Sequence, residues 1–285
     1  MSRDSAIEIR SRVVEAAGFK FWVNETGDSK APPLLLLHGS GPGATALSNW
    51  EGVMAELGRD FHCVAPDIVG FGDSTHPEDP PVGTGPFAQL RAETLLGLIQ
   101  ALGLSEITVV GNSMGGTITL RMLATDPTPF EKVVLMASGG APTSSPPPAL
   151  GRLAFFYNEP TEQKMAELMS EFVSDPAVFG DRLQAIAASR MPMAERPDVR
   201  RSHIATFTFV DSPMVDLDAV GRITQPVLVI HGREDRLIPV SSASWFAETI
   251  SDSQVHILSH CGHWVQIEQR DRFVFLVRAF ARGDI

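Results

Sequence analysis

The chain holds one G-x-S-x-G, at Gly111-Asn112-Ser113-Met114-Gly115, followed directly by Gly116. A β-branched run precedes it and a helical pattern follows, so Ser113 falls on a tight strand-to-helix turn that exposes its hydroxyl. The plain alternative is a glycine-rich turn that happens to contain a serine. A serine hydroxyl is a poor nucleophile until a base takes its proton, and that base needs a third group to fix its tautomer. In this setting the acid and then the histidine follow in chain order, each just after a later strand. The strand-like run 227–230 leads into His231-Gly232-Arg233-Glu234-Asp235-Arg236, and the run 255–258 into Ser259-His260-Cys261-Gly262-His263-Trp264. The expected roles are Ser113 as nucleophile, His263 as general base and acid, and Asp235 as the group that orients and stabilises the imidazole. Glu234 competes with Asp235, and His260 with His263. The shorter acid ahead of Arg-Leu-Ile-Pro and the histidine directly after Gly262 suit their turns better.

The apolar run 34–37 ends in His38-Gly39-Ser40-Gly41-Pro42-Gly43. As an oxyanion hole this loop would offer the Ser40 N–H, joined by the Met114 N–H at the start of the helix after the nucleophile. The rival is a dinucleotide site, because Gly39 to Ala44 formally matches G-x-G-x-x-A after a strand and Asp67 ends the next strand. Pro42 has no N–H to give a pyrophosphate, however, and two strands precede the motif where a nucleotide unit would begin with it. No G-x-x-x-x-G-K-[ST] occurs. No nucleotide or other cofactor is expected.

These groups can meet only if several strands end side by side. Two strands joined near Gly18 are expected within 7–25, a buried parallel strand at 34–37, and further strands at 61–65, 107–110 and 133–137. Helical patterns cover 46–57, 87–102 and 114–124. After an interruption the alternation resumes with strand 227–230, a helix near 244–250, strand 255–258 and a last helix over 265–281. Such alternation predicts an α/β fold, a mostly parallel central sheet flanked by helices on both faces. The interruption opens with APTSSPPPAL and turns amphipathic; it holds Met165, Met169, Met191, Met193 and Met214, with Phe155, Phe156, Tyr157, Phe172 and Phe179. It is expected to be a helical lid inserted after the sixth strand, its adaptable apolar face lining a pocket. The organisation is then a first core part over 1–138, the lid over 139–214 and a second core part over 215–285.

Composition narrows the partners. Hydrophobic residues at 44% and charged residues at 20% exclude a disordered chain. A net charge of −11 without a dense Lys/Arg run speaks against nucleic acid and anionic lipid. Cys63 and Cys261 make neither a disulfide framework nor a Cys-x-x-Cys metal site, and suit a reducing cytosol. The opening MSRDSAIEIR has no apolar leader core, and no stretch approaches the ~18–20 apolar residues of a spanning helix. A soluble, cytoplasmic protein without metal is expected.

LLLLHGSGPGA, DIVGFGDS, VVGNSMGG, VIHGREDRLIP and CGHWVQIEQ together resemble the meta-cleavage product hydrolases. These α/β-hydrolase enzymes cut a carbon–carbon bond in 2-hydroxy-6-oxo-hexa-2,4-dienoates during bacterial degradation of aromatic compounds. The resemblance covers most of the chain outside the lid, and the trio HGSGPGA, GNSMGG and CGHW is more specific than G-x-S-x-G alone. It implies a small dienoate substrate that passes through a keto tautomer, and a homodimer or higher homo-oligomer. It further implies that Asn49 and Asn112, with Gly41 beside them in the glycine loop, contact the oxygen-bearing end of the substrate, and that Trp264 lines that end. A lid arginine would bind the carboxylate: Arg190 is the first choice, with Arg182 and Arg196 as alternatives. Leu237, Ile238 and the Met/Phe-rich lid would house the substituent on C6. Two other readings share the fold: a carboxylesterase, which needs the triad but not Asn112, Trp264 or a lid cation, and a non-catalytic small-molecule receptor, which needs no triad.

Overall fold

The computed structural model describes residues 8–143 and 145–285. Ile7, where the first strand was expected to begin, most of the opening stretch read for a leader, and Ser144 in the Pro/Ser stretch lie outside the described residues.

Eight strands form one sheet in the order β1-β2-β4-β3-β5-β6-β7-β8. They are β1 (Arg10–Ala16), β2 (Phe19–Thr26), β3 (Pro33–Leu37), β4 (His62–Pro66), β5 (Ile107–Asn112), β6 (Phe130–Met136), β7 (Val227–Gly232) and β8 (Ser253–Leu258). The pairs β1–β2 and β2–β4 are antiparallel, and every pair from β4 onward is parallel. The apolar runs explain this arrangement. Leu34 and Leu36 enter one buried cluster with Val110, Val134, Leu228 and Ile230; Leu35 and Leu37 enter another with Val109, Val133, Leu135 and Val229. A strand covered on both faces has to be apolar at every position. One face carries α1 (Ala46–Leu57), α10 (Val265–Glu268) and α11 (Arg270–Arg282); the other carries α2 (Thr84–Leu102), α3 (Met114–Thr125) and α9 (Ser241–Thr249).

Several element boundaries depart from expectation: β6 begins at Phe130 and α9 at Ser241, each about three residues early, and two further departures have a visible cause. The single last helix over 265–281 is two helices, because Gln269 leaves the helical region at φ −124°, ψ 43°. The break accompanies Glu268, whose carboxylate turns back to accept the Gly262 N–H at 2.6 Å and the Ser174 N–H at 2.7 Å. Helix α2 starts three residues before the expected 87, launched by Gly83 at φ 99°, whose N–H donates to Ala205 O at 2.7 Å. That bond reaches into the insertion and has no local signature.

Between β6 and β7 lie α4 (Pro148–Ala154), α5 (Glu162–Glu171), α6 (Leu183–Ala194) and α7 (Pro197–Phe207), with the short α8 (Leu217–Gly221) returning the chain to the sheet. These helices share an apolar cluster containing Leu153, Phe156, Met165, Met169, Phe172 and Met191, and the cluster also takes in Leu237 and Trp264 from loops of the sheet edge. Helix α7 is tied down: Arg91 Nη2 donates to Thr206 Oγ1 at 2.9 Å, and Arg196 pairs with Asp73 at 2.8 Å. Among the described residues no helix is long and apolar enough to cross a membrane.

Replacing the fully buried Leu36 by Ala leaves a cavity between sheet and helices, and the expected loss is about 2–5 kcal/mol. Val13→Ala, on the exposed edge strand, should stay within about 0.5 kcal/mol. Urea unfolding midpoints at equal slope check both.

Candidate active site

Ser113 stands between β5 and α3 with φ 53° and ψ −113°, a region costly for a residue with a side chain. Its N–H donates to Met136 O at 3.0 Å, and its carbonyl accepts the Gly139 N–H at 3.1 Å, so the adjacent strand end holds the turn. The flanking glycines are required by contact. A Cβ on Gly111 would lie 2.7 Å from Gly115 O, and one on Gly115 would collide with Leu37 O at the end of β3. Met114 is the first residue of α3, so its N–H has no carbonyl partner within the helix.

The glycine loop packs directly on this turn. A Cβ built on Gly39 would sit 3.2 Å from Ser113 Cβ and 2.8 Å from Asn112 Oδ1. Gly39 N–H donates to Asn49 Oδ1 at 2.9 Å, so α1 anchors the loop through a side chain. Buried His38 anchors it from the other end: Ile68 N–H donates to Nε2 at 3.0 Å, which leaves the proton on Nδ1 to donate to Gly39 O at 2.8 Å. Burial, aided by the charges of Arg91 and Arg190, pushes the His38 pKa down to about 4 and keeps the ring neutral. Among the described residues the Ser40 N–H donates to no carbonyl. Asp67, the acid of the dinucleotide alternative, is occupied. It accepts the Ala46 N–H at 2.6 Å and the Asp73 N–H at 3.0 Å, and burial raises its pKa to about 6.

β7 delivers Asp235 and β8 delivers His263. His263 Nδ1–H donates to Asp235 Oδ2 at 2.8 Å, while Asp235 Oδ1 accepts the Leu237 and Ile238 N–H groups at 2.8 and 2.9 Å. Burial would raise the Asp235 pKa, but the imidazoles of His263 and His231 outweigh it and hold the acid well below the usual carboxylate range. The His263 ring is bonded to the acid and not to Ser113 Oγ; a nucleophile–base bond of this kind commonly tightens only when substrate enters. The rivals have other work. Glu234 accepts the Cys261 N–H at 3.0 Å, and His260 faces solvent at φ 57°. The lid reaches this loop through Phe172, whose carbonyl accepts the His263 N–H at 2.8 Å and the Trp264 N–H at 3.0 Å, and whose ring stacks on Trp264.

Of the three candidate arginines of the insertion only one turns inward. Arg182 is exposed, and Arg196 is engaged by Asp73 and Asp198, each at 2.8 Å. Arg190 has its Nε enclosed without a hydrogen-bond partner, its guanidinium 5.8 Å from the Trp264 ring centre, and its Nη2 4.0 Å from where a Cβ on Gly41 would lie. Among the described residues no acid neutralises it, and burial lowers its pKa to about 10. Asn112 donates to Met136 O at 3.3 Å while its Oδ1 is buried and unpartnered. Leu237 and Trp264 are buried in the lid cluster with Ile238 against them. Among the described residues no group of three or more His, Cys, Asp or Glu side chains is placed to hold a metal ion.

The model of the alpha/beta hydrolase family matches residues 34–274. The chain is 34% identical to a 2-hydroxymuconate semialdehyde hydrolase of a Pseudomonas species, over 94% of this chain and 93% of that one. It is equally 34% identical to the 2-hydroxy-6-oxo-2,4-heptadienoate hydrolase of Pseudomonas putida, over 96% of each. The chain belongs to the α/β hydrolase family, among the meta-cleavage product hydrolases. The structure of a 2-hydroxy-6-oxo-6-phenylhexa-2,4-dienoate hydrolase from a Rhodococcus species superposes with a TM-score of 0.90 at 36% identity, over 96% of this chain and 99% of that one. In this α/β hydrolase three further residues touch the site without having been read from the sequence: His231 against Asp235, Arg91 against Met114 Sδ at 3.4 Å, and Gln266, which donates to Asn49 O at 3.3 Å. His231 belongs to the β7 apolar run and Arg91 to the interior of α2, where spacing alone reads them as strand and helix positions.

The neutral His38 makes stability depend on pH. Unfolded, its imidazole takes a proton near the ordinary pKa of about 6.5, while folded it does not until about 4. The unfolded state therefore binds more protons in that window, and stability should fall as pH drops through it, by up to about 3 kcal/mol. A His38→Gln variant should show a flatter pH slope of unfolding free energy than the parent between those limits.

Proposed function

We propose that this chain is a serine-dependent hydrolase of the carbon–carbon bond in 2-hydroxy-6-oxo-hexa-2,4-dienoates, the ring-cleavage products of aromatic compounds. The observation that carries the reading is Arg190, a cation with an enclosed Nε and, among the described residues, no acidic partner, set near Trp264 and the glycine loop in a chain of net charge −11. Such a group is stabilised by a substrate carboxylate, which a neutral ester does not supply. The names of the relatives agree with this substrate class.

On this reading Arg190 receives the carboxylate, and Asn49 and Asn112 the oxygen on C2. The 2-hydroxyl proton leaves as C5 gains one, which gives a 2,6-diketone with a C3–C4 double bond; His263 is the group to carry it. Ser113 Oγ bonds to C6 as its own proton passes to His263, and the carbonyl electron pair moves to oxygen under the Ser40 and Met114 N–H groups. Collapse breaks C5–C6, and that electron pair flows through C4 and C3 to the C2 oxygen, the sink the keto form provides. The imidazolium returns its proton to the departing dienolate, and water, giving its own proton to the now neutral His263, frees the acyl group from Ser113 as its acid. Asp235 keeps the imidazole in register throughout. Residues 139–214 serve as the lid between core parts 1–138 and 215–285, and Leu237 and Ile238 border the space for the C6 substituent. Both cysteines are free and buried, in keeping with a cytoplasmic enzyme. The family resemblance adds a homodimer or larger homo-oligomer, which light scattering measures.

The purified protein is expected to bleach a yellow 2-hydroxy-6-oxo-dienoate, and Ser113→Ala to abolish the bleaching. Arg190→Gln should lower kcat/KM for the dienoate roughly 10- to 150-fold, the loss of one charge-assisted interaction, while nitrophenyl ester turnover persists. Rapid ester cleavage with the dienoate colour untouched would make the protein a carboxylesterase instead. A panel of dienoates differing only at C6 then measures the apolar subsite.

A further inference from the structure

His231, the penultimate residue of β7, has no part in the steps above. Its ring is fully buried. Nε2 lies 3.0 Å from Ile238 O and 3.4 Å from Asp235 Oδ2, and Nδ1 is buried without a partner. A carbonyl at Nε2 places the proton there, so an N–H edge, not a lone pair, faces the carboxylate. With two backbone N–H groups on Oδ1 and His263 on Oδ2, His231 is, among the described residues, the second side chain whose N–H edge approaches Asp235, at 3.4 Å. We propose that His231 is a positioning residue for the acid: its bond to Ile238 O closes the turn 235–238, and its N–H edge holds Asp235 ionised with Oδ2 toward His263. The inference rests on the reading that Asp235 orients the catalytic imidazole.

The consequence has a sign. A carboxylate that shares its charge between two N–H groups is a weaker acceptor toward each. Without the His231 N–H, Oδ2 acts on His263 alone, and the imidazolium is favoured. The other titratable groups around the pair stay in place when only residue 231 changes. They are Cys261, whose thiol burial pushes up; Glu234 and Glu268, which hold the Cys261 and Gly262 N–H groups; and Arg190 from the lid. Alongside in the sheet, β8 sets Ile257 opposite His231 and His256 opposite Ile230, and β6 sets Met136 next to Ile230.

The test is kcat and KM for a dienoate against pH in the parent, His231→Phe, His231→Gln and Asp235→Asn. His231→Phe keeps a flat ring without the donor. It should leave KM nearly unchanged, lower kcat about tenfold, and move the acid limb to higher pH by about half a unit or more. His231→Gln, with an N–H to offer, should recover most of both. An acid limb in His231→Phe that coincides with the parent's, or moves to lower pH, overturns the proposal. If His231→Phe does not fold, His231→Gln decides: a rate and limb close to the parent's support the donor, and loss of both in a natively folded protein overturns it. Asp235→Asn separates the levels. Parent-like activity there removes the role of Asp235 itself, whereas its collapse beside an unmoved His231→Phe limb removes only the role of His231.

Discussion

A serine held at φ 53° and ψ −113° is the constraint on which the site's geometry depends. Such a conformation costs about 1–3 kcal/mol and persists only where neighbouring structure over-determines it. Here the neighbours are the end of β6 and the segment just beyond it, which bond the turn on both sides, and the end of β3, against which α3 closes because Gly115 has no side chain. The strain is spent on aim. One turn sets the Ser113 hydroxyl and the first N–H of α3 side by side, so the two groups proposed as nucleophile and oxyanion donor share a single backbone kink. The loop after β3 is then set by contact with that kink, through Gly39 against Asn112 and Ser113.

Charge follows a different logic inside the site from the rest of the chain. The whole is strongly acidic, with a net −11, yet among the described residues the buried Arg91 and the half-buried Arg190 meet no carboxylate. Arg91 is satisfied by Val69 O, Thr206 Oγ1 and the ring of Phe87 beneath its guanidinium at 3.6 Å. Among the described residues Arg190 Nε has no such partner, so the two cations differ: Arg91 is a structural tie between core and insertion, and Arg190 is not. The buried imidazoles of His38 and His203, both with pKa values near 4, add no positive charge at neutral pH and serve as hydrogen-bonding struts.

Much of this was legible before any coordinates. Ser113 and Asp235 follow apolar runs that form the buried strands β5 and β7, His263 follows the half-exposed edge strand β8, and chain order supplied the roles expected of the three. The sheet was legible for the same reason, since strands covered on both faces announce themselves by unbroken hydrophobicity. What stayed hidden was whatever depends on distant partners. Arg196 is engaged by Asp73, more than a hundred residues away in the chain, and no local pattern carries that pairing. The division of the last helix at Gln269 follows from where Glu268 points, again a tertiary matter. His231 looks like one more member of a strand, and only its neighbour across the turn gives it another character.

The apolar cluster of the insertion is completed by Leu237 and Trp264, which sit beside the acid and the histidine. The cap and the catalytic loops are therefore two halves of one packed interior, not a cover resting on a finished barrel of chemistry. A chimera that transplants the helices alone would leave those two side chains facing foreign partners, and the damage would register at Asp235 and His263 before any substrate arrived. In this scaffold, repacking the insertion and disturbing the loops of Asp235 and His263 are coupled acts, because the same side chains belong to both.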